Sequence, residues 1–594
     1  MDIFSIFSLF GGLALFLYGM NIMSSGLDKV AGGKLERILE KLTSNPLKAV
    51  ALGAVVTAVI QSSSATTVMV VGFVNAGIMK LSQAVGIIMG ANLGTTATAW
   101  ILSLSGLEGD SFFIQILKPS NFSPLLAFIG IILIMFMKSE KKKDIGQILV
   151  GFAILMFGMD NMSGAVKPLA DIPEFRNILI MFSNPLLGIA TGAILTAIIQ
   201  SSSASVGILQ AISTTGSLTF SSAIPIIMGQ NIGTCITAII ASIGAKKNAK
   251  RAALVHLYFN LIGTILFLIV FYIIQYTIGF PFINDSVSAA SIASVHTIFN
   301  LFSTIILLPF SRVLEKLACI TIKDGEDTEN QSKDGSSIVN LLDERFLATP
   351  GYAMEQCHDV CVKMAQLTKD TFLSSVSLFE NYDEKLAKEI EKNEDLIDKY
   401  EDMIGNFLVK LSSKDLSSAN SKEASFYLHT IGDLERIGDH SINLLGAAKE
   451  INEKQIQFST EAKKELSILT DAVVEILTNT FTAFEIYDVD LSKAIEPLEE
   501  VIDYLQGELK NRHIKRLQKG ICTIESGFVL SDILTNYERI ADHCSNIAIS
   551  VLQVNSEDSL DAHAYVKGLK FQAQSDFTNQ YETNLKRYQL PSEI

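Results

Sequence analysis

The chain has 594 residues, too many for one core, and at about 100 to 200 residues per domain it implies several domains. The formal net charge of −15 arises mostly beyond Lys323 and argues against a nucleic-acid partner, although acidic groups can hold cations. The six cysteines (Cys235, Cys319, Cys357, Cys361, Cys522, Cys544) lack the paired spacing of a metal finger or the density of a secreted disulfide framework. Cys357 and Cys361, one helical turn apart, read as small buried residues.

Up to about Leu317 the sequence is a series of apolar runs rich in Gly, Ala, Ile and Leu, of the roughly 20-residue length that spans a bilayer. The first, Ile3 to Met23, has no basic leader and no clear small-residue cleavage site, so it predicts a membrane span rather than a removable signal. Inside the next apolar stretch stands Gln61-Ser62-Ser63-Ser64, which recurs as Gln200-Ser201-Ser202-Ser203. In hydrocarbon such polar groups must face protein, water or a ligand, because an unpaired one costs several kcal/mol.

The two stretches are 139 residues apart, and the same offset brings three other blocks into register. Gly19-Met20 falls on Gly158-Met159, Asn45-Pro46-Leu47 on Asn184-Pro185-Leu186, and Gly90 to Thr95 on Gly229 to Thr234. Four ordered blocks at one offset mark an internal duplication, about 12–105 and 151–244. Leu47 to Ile60 and Ala65 to Ile78 are each too short to cross and meet at the polar stretch, which predicts a re-entrant hairpin tipped by Q-S-S-S. Leu186 to Ile199 and Ala204 to Thr215 would form the second. The following spans, Ser82 to Leu104 and Ser221 to Ile243, contain Gly-x-Asn-x-Gly-Thr and are expected to be broken helices.

Three crossings, at about 3–23, 82–104 and 123–137, precede the second copy's first span (Ile145 to Met162), and an odd number inverts that copy. Basic clusters follow alternate spans: Lys29, Lys34, Arg37, Lys41 and Lys48; then Lys138 and Lys141 to Lys143; then Lys246, Lys247, Lys250 and Arg251. The positive-inside rule puts all three in the cytoplasm, consistent with seven crossings, an outside N-terminus and a cytoplasmic C-terminal region. Two later spans, about 252–276 and 290–310, share His256-x-x-x-Asn260 and His296-x-x-x-Asn300, each pair on one helical face. A packing role through hydrogen bonds to a neighbouring helix is preferred for them over substrate contact. Asp160, where the first copy has Asn21, is the main carboxylate at membrane depth and is divided between a functional and a solvated reading.

The expected site gathers Gln61, Ser62, Ser63, Ser64, Thr66, Thr67, Asn92, Thr95 and Thr96 with Gln200, Ser201, Ser202, Ser203, Ser205, Asn231 and Thr234. None is cationic. Helix N-termini and hydroxyls can bind a tetrahedral oxyanion, and freed carbonyls with hydroxyls can bind a monovalent cation that supplies the missing positive charge. Small polar residues commonly serve only close helix packing, but two inverted tips meeting at midplane favour a site.

The paired Q-S-S-S stretches, Asn-Pro entrances and G-x-N-x-G-T segments resemble the sodium/phosphate cotransporter family over residues 1–318. The resemblance implies sodium-driven movement of inorganic phosphate by alternating access, with the Q-S-S-S residues lining the substrate and sodium sites. Direction stays open, since some bacterial members export phosphate. Cys235 stands where the first copy has Thr96, which makes that hydroxyl the least secure assignment.

Residues 319–340 read as a polar linker, 341–555 as a helical domain and 556–594 as a polar tail that either packs as a last helix or stays disordered. The helical domain is itself duplicated. Glu435-Arg436-Ile437-Gly438-Asp439-His440 recurs 103 residues on as Glu538-Arg539-Ile540-Ala541-Asp542-His543, and Glu394-x-x-x-Asp398 recurs 105 residues on as Glu499-x-x-x-Asp503. Each E-x-x-x-D puts two carboxylates on one face, and antiparallel neighbours would bring four oxygens together for metal. Arg436 and Arg539 are the competing partners. The region resembles PhoU, a tandem pair of three-helix bundles that regulates phosphate uptake and holds metal clusters through such motifs, which implies a divalent metal or iron here.

The expected fold is thus all-α: a polytopic transporter of about seven crossings and two re-entrant hairpins in inverted repeats, followed by a tandem three-helix-bundle regulatory domain. The expected function is sodium-linked phosphate transport in the cell membrane, with the lipid bilayer, a homodimer and phosphate-signalling proteins as candidate partners. Alternatives are a sodium-linked phosphate exporter or other oxyanion carrier, and a membrane-anchored metal-binding signalling protein. No phosphate-binding glycine loop or nucleophile–base pair speaks for an enzyme.

Overall fold

The computed structural model describes residues 3–31, 45–106, 115, 118–323, 342–414, 416–556 and 574–592. The calls on Lys34, Arg37, Lys41 and most of the linker and early tail (324–341, 557–573) lie outside these. The chain divides into two compact units, 1–331 with 343–353, and 332–342 with 354–594. Among the described residues the regular structure is helical, apart from one isolated bridge between Thr219 and Ser286.

Among the described residues the first unit contains six helices long and apolar enough to cross a membrane, or seven if the bent pair Pro173–Met181 and Pro185–Ile199 counts as one span. Helix α1 (Ile3–Ala31) is followed by the short pair α2 (Pro46–Ile60) and α3 (Ser63–Ala76), then α4 (Leu81–Ser103) and α5 (Pro119–Phe136). The second copy repeats this order: α6 (Glu140–Val166), the small α7 (Pro173–Met181), the short pair α8 (Pro185–Ile199) and α9 (Ser202–Ser213), then α10 (Phe220–Ala241). Helices α11 (Lys247–Thr277), α12 (Ala289–Leu307) and α13 (Ser311–Thr321) complete the unit. The expected third crossing, 123–137, falls on α5, whose 18 residues reach about 27 Å at 1.5 Å per residue, near the hydrocarbon thickness.

Glycines set how closely the copies pack. A Cβ at Gly12 would lie 3.0 Å from the Gly158 carbonyl oxygen, and one at Gly19 would lie 2.7 Å from that of Gly151. Rising numbers on α1 meet falling numbers on α6, so these equivalent first helices are antiparallel. Each short pair breaks at the polar stretch: Gln61 (φ 61°) and Gln200 (φ 58°) end the first limb in the left-handed region. Ser62 and Ser201 then cap the second limb, each Oγ accepting from the amide three residues on at 3.2 Å.

The expectation that Gly-x-Asn-x-Gly-Thr breaks α4 and α10 is wrong: both helices run unbroken through it. The glycines serve close approach instead. A Cβ at Gly90 would sit 2.1 Å from the Val50 carbonyl oxygen, and one at Gly229 would sit 2.1 Å from that of Ile189. The intervening Asn92 and Asn231 amides donate to the carbonyls of Ile88 and Ile227 at 2.9 Å, within an intact helix.

Two loop clusters mark opposite ends of this unit. At one, Asn75 in the last turn of α3 donates to Asp343 at 2.6 Å and accepts from the Lys246 amide at 2.8 Å. Arg345 reaches the Ala241 carbonyl at 2.7 Å, and buried Phe346 packs on Phe73 and Tyr352. The segment 343–353 thus returns to the first unit after the linker. At the other end, the Val287 amide donates to the Leu218 carbonyl at 2.8 Å, joining the α9–α10 and α11–α12 loops.

The second unit comprises α14 (Pro350–Ser377, from Met354 on), α15 (Glu384–Ser412), α16 (Ser418–Glu453), α17 (Thr460–Ile486), the short α18 (Val489–Lys493), α19 (Ile495–Gln518), α20 (Ile524–Asn555) and α21 (Gln574–Arg587). The tail alternative resolves toward a helix over 574–587, held by Arg587 pairing with Glu475 at 2.8 Å. His440 Nδ1 meets Asn536 and His543 Nδ1 meets Asp433, both at 2.8 Å, a two-fold arrangement across α16 and α20.

Candidate functional site

At each Q-S-S-S break an α-helix begins, and its first amides have no intrahelical carbonyl to bond. In α3 these belong to Ser63 and Ser64, in α9 to Ser202 and Ser203. Their positive dipole ends make each break an anion-binding geometry without any fixed charge. Gln61, Ser63, Ser202 and Ser203 are buried, and Ser62, Ser64 and Ser201 are half-buried. Gln200 is exposed, so the two copies differ at this position.

The copies meet side by side: Thr237 Oγ1 on α10 donates to Ser64 Oγ on α3 at 3.4 Å. Asn260 on α11 joins them a second time, approaching Asn92 Oδ1 at 3.4 Å and Cys235 Sγ at 3.3 Å. His256 Nε2 also approaches Asn92 Oδ1 at 3.4 Å, and Asn300 on α12 donates to Asn231 Oδ1 at 3.2 Å. The preferred hydrogen-bonding reading of the two His-x-x-x-Asn faces therefore finds partners for His256, Asn260 and Asn300 in the asparagines of the two Gly-x-Asn-x-Gly-Thr segments, but not for His296, whose two ring nitrogens are buried without a partner among the described residues. The sequence showed these faces but not what they would meet, because pairing across 168 residues is a tertiary fact.

The hydroxyls divide by use. Thr67, Thr95, Thr96 and Thr234 donate to carbonyls of their own helix at 2.7 to 3.1 Å, which leaves their oxygen lone pairs outward. Thr57 donates to Thr66 at 3.0 Å across the first break, whereas the equivalent Thr196 and Ser205 hydroxyls are buried without a partner among the described residues. Gln61 Oε1, Gln230 Oε1, Asn260 Oδ1 and Asn300 Oδ1 are likewise buried acceptors without partners. Orphaned acceptors cost about 1–3 kcal/mol each when left unsatisfied, and hard cations take such oxygens. The donor set therefore fits sodium together with an oxyanion at the helix N-termini. Asp160 is half-buried on α6.

In the second unit, α15 and α16 run antiparallel, Ile397 facing Gly438 and Gly405 facing Ile431. This brings Glu394, Asp398, Glu435 and Asp439 onto one acidic patch: burial and then the neighbouring carboxylates raise Glu394, Asp398 and Glu435 above their ordinary range. Arg436 pairs with Glu435 and Asp439 on this face, and Arg539 pairs with Asp542 on the other. Helices α19 and α20 assemble Glu499, Asp503, Glu538 and Asp542 in the same way. Gln506 donates to Glu538 at 2.9 Å, and burial, Asp503 and further carboxylates including Asp542 push Glu499 up to about 8.

The tightest group among the described residues is Glu496, Glu499 and Glu500, with oxygens within 4.8 Å of one another. Glu496 and Glu500 escaped the sequence reading, although the 105-residue offset carries Glu391 onto Glu496 and Asp395 onto Glu500. Three carboxylates that close resist simultaneous ionisation, and a bound cation relieves the repulsion. These residues fit an oxygen-preferring divalent metal.

The family described as Na+/Pi-cotransporter matches residues 15–164 and again 154–288, and the PhoU domain matches 361–447 and 466–551. Among curated relatives, YjbB of Escherichia coli (strain K12), described as a candidate inorganic phosphate export protein, is 25% identical over 563 residues, covering 93% of this chain and 98% of YjbB. YqeW of Bacillus subtilis (strain 168), an uncharacterized protein, is 32% identical over 257 residues, 43% of this chain and 79% of YqeW. The sodium-dependent phosphate transport protein 2A of Rattus norvegicus is 38% identical over 97 residues, 16% of this chain and 15% of that protein. With its duplicated Q-S-S-S helices and its duplicated E-R-I-x-D-H unit, the chain is a multi-pass membrane protein belonging to the Na+/Pi-cotransporter family and carrying a PhoU domain.

Proposed function

We propose that the protein couples sodium to the movement of inorganic phosphate across the cell membrane by alternating access, with the PhoU-like unit on the cytoplasmic side as its regulator. The observation that carries this reading is the pair of uncharged Q-S-S-S breaks, joined through Thr237–Ser64 and Asn260 and rich in orphaned acceptor oxygens. Phosphate carries roughly −1.5 to −2 charges near neutrality. A site without Lys or Arg needs a co-bound cation to hold it, and the sodium named in the family description supplies that charge. The helix N-termini of α3 and α9 would hold the phosphate oxygens, and Gln61, Asn92, Thr95, Thr96, Asn231 and Thr234 would face sodium.

Inverted repeats and re-entrant hairpins are supported by two features. The equivalent helices α1 and α6 are antiparallel, and the open ends of the two short-helix pairs join opposite loop clusters. Export is favoured for direction, because the relative that matches end to end is described as a candidate phosphate export protein. In the PhoU-like unit, Glu496, Glu499 and Glu500 would hold a divalent metal with Asp503 and Asp542, and the α15–α16 patch a second.

The test is radiolabelled phosphate flux in proteoliposomes under imposed sodium gradients. Flux that follows the gradient and disappears in Ser63→Ala/Ser202→Ala protein of unchanged stability supports the proposal. Sodium-independent behaviour in both directions would sink it.

A further inference from the structure

His296 on α12 is a buried side chain that packing does not employ: neither ring nitrogen has a partner among the described residues. Its counterpart on α11 is engaged, since His256 Nε2 approaches Asn92 Oδ1 at 3.4 Å. The offset of 40 residues that relates the two histidines also carries Asn260 onto Asn300 and Thr264 onto Thr304, so the difference lies in the surroundings and not in the repeat. A buried polar group without a hydrogen bond costs about 1–3 kcal/mol, and a leucine would fill the same space without that cost.

The register of α9 against α12 places the ring. The α9–α10 and α11–α12 loops meet at one end of the unit, so α9 runs toward that end and α12 runs away from it. Near that end Gln210 Nε2 donates to the Ala289 carbonyl at 3.1 Å. From this contact, Gln210 back to Ser203 and Ala289 forward to His296 are equal steps of two helical turns, about 10 Å each. Residues two turns apart share a helical face, and between them Val206 on α9 and Ala293 on α12 belong to one apolar cluster. His296 is thereby brought level with Ser203, in the first turn of α9, on the side of α12 that faces it. The second break is also open where the first is closed. Thr57 donates to Thr66 at 3.0 Å in the first copy, whereas the Thr196 and Ser205 hydroxyls have no partner among the described residues. Gln230, where the first copy has Ala91, donates to the Ser205 carbonyl at 2.9 Å and keeps a buried Oε1 without a partner.

We propose that His296 is a specificity-determining residue at the second break, where it hydrogen-bonds the hydroxyl of a protonated tetrahedral oxyanion and so selects phosphate over sulfate. This rests on the transport reading of the Q-S-S-S breaks and names the group that recognises the substrate there. Helix amides and serine hydroxyls donate equally well to the ionised oxygens of either anion, so they do not tell the two apart. Near neutrality phosphate keeps at least one O–H and sulfate has none. Recognising that O–H takes an acceptor, and a neutral imidazole offers one accepting nitrogen while the other donates to a second oxygen. Sodium, a hard cation, takes oxygens such as Gln230 Oε1, which leaves the ring to the anion. A site built to hydrogen-bond a substrate hydroxyl rejects an analogue without it by about 10⁴-fold or more, because the buried partner is left unpaired.

The test is inhibition of radiolabelled phosphate flux in proteoliposomes by arsenate, which carries an O–H, and by sulfate, which does not. Wild type should be inhibited by arsenate at far lower concentration than by sulfate. His296→Leu removes both nitrogens and should lower that preference roughly tenfold or more. His296→Gln keeps a donor and an acceptor and should recover part of it. The thermal midpoint of His296→Leu should hold or rise, because an unpaired buried polar group has been replaced by an apolar one. If this variant moves too little phosphate to measure, equilibrium binding of the same anions to the protein in detergent reads the preference instead. His256→Leu should leave the preference unaltered, because that ring is held at Asn92. An unchanged preference in His296→Leu, or an equal loss in His256→Leu, overturns the assignment and leaves the transport reading standing. A wild type that moves no phosphate overturns both.

Discussion

Gln61 and Gln200 hold left-handed backbone that any residue with a Cβ adopts at a cost of about 1–2 kcal/mol. Glycine would do so freely, so two glutamines at equivalent strained positions argue that the side chain is wanted. Gln61→Gly separates the two roles: the thermal midpoint should hold or rise slightly in detergent, while phosphate flux falls at least tenfold. Flux at the wild-type level would remove the Gln61 amide from the site. Glu499 offers a second residue-level prediction. Its folded value of about 8 lies above the ordinary 4.5, so between those values the folded protein holds a proton that the unfolded chain has lost. Without metal, the contribution of Glu499 to stability is therefore greatest below about pH 4.5 and is lost as pH rises through about 8. Across pH 5 to 8 the midpoint of metal-free protein should fall more steeply for wild type than for Glu499→Gln. Metal binding must displace that proton and should tighten over the same range. Parallel pH profiles for the two proteins would contradict the assignment. The duplicated E-x-x-x-D made Glu499 legible from sequence, but Glu496 and Glu500 needed the structure to show which carboxylates of a charged helix turn toward one another.

At the scale of elements, the short-helix pairs were readable because a polar interruption in an apolar run has few structural outlets, and the limbs end within two residues of their expected boundaries. The unbroken course of α4 and α10 was not readable in the same way. Glycine spaced by four serves either a break or a close crossing, and only the partner helix decides. Here α2 approaches α4 so closely that a Cβ at Gly90 would meet the Val50 backbone. Gly90→Ala should cost about 1–3 kcal/mol or more through overpacking. Gly164→Ala on α6, with nothing within 4 Å, should be neutral or mildly stabilising. Thermal unfolding followed by the fluorescence of the single tryptophan, Trp100 on α4 itself, reads the first variant directly. Equal midpoints for the two variants would mean that the α2–α4 crossing is looser than described. The return of Phe346 onto Phe73 had no sequence signal, since a lone apolar residue after a polar linker has no periodicity to reveal its partner.

At the scale of the whole molecule, crossing parity and the distribution of basic residues make one topology from independent arguments, and the packing of the first unit is consistent with it. If α1 descends from outside, α6 must rise, and the two are antiparallel. The α3 end, the α10–α11 loop and residues 343–346 must then share the cytoplasmic side, and Asn75 bonds to both Lys246 and Asp343. The α9–α10 and α11–α12 loops must share the outer side, and Leu218 bonds to Val287. A membrane-impermeant maleimide tests this with cysteines introduced at exposed loop positions, after Cys319 and Cys522, the two native cysteines that are not fully buried, are changed to Ser. Ser139→Cys, between α5 and α6, should label in inside-out vesicles and resist labelling in right-side-out ones. Asn284→Cys, between α11 and α12, should do the opposite. Labelling of both from one side would break the parity argument and with it the inversion of the repeats. A consistent swap of sides would keep the inversion but move the PhoU-like unit outside, where it could not answer to cytoplasmic phosphate.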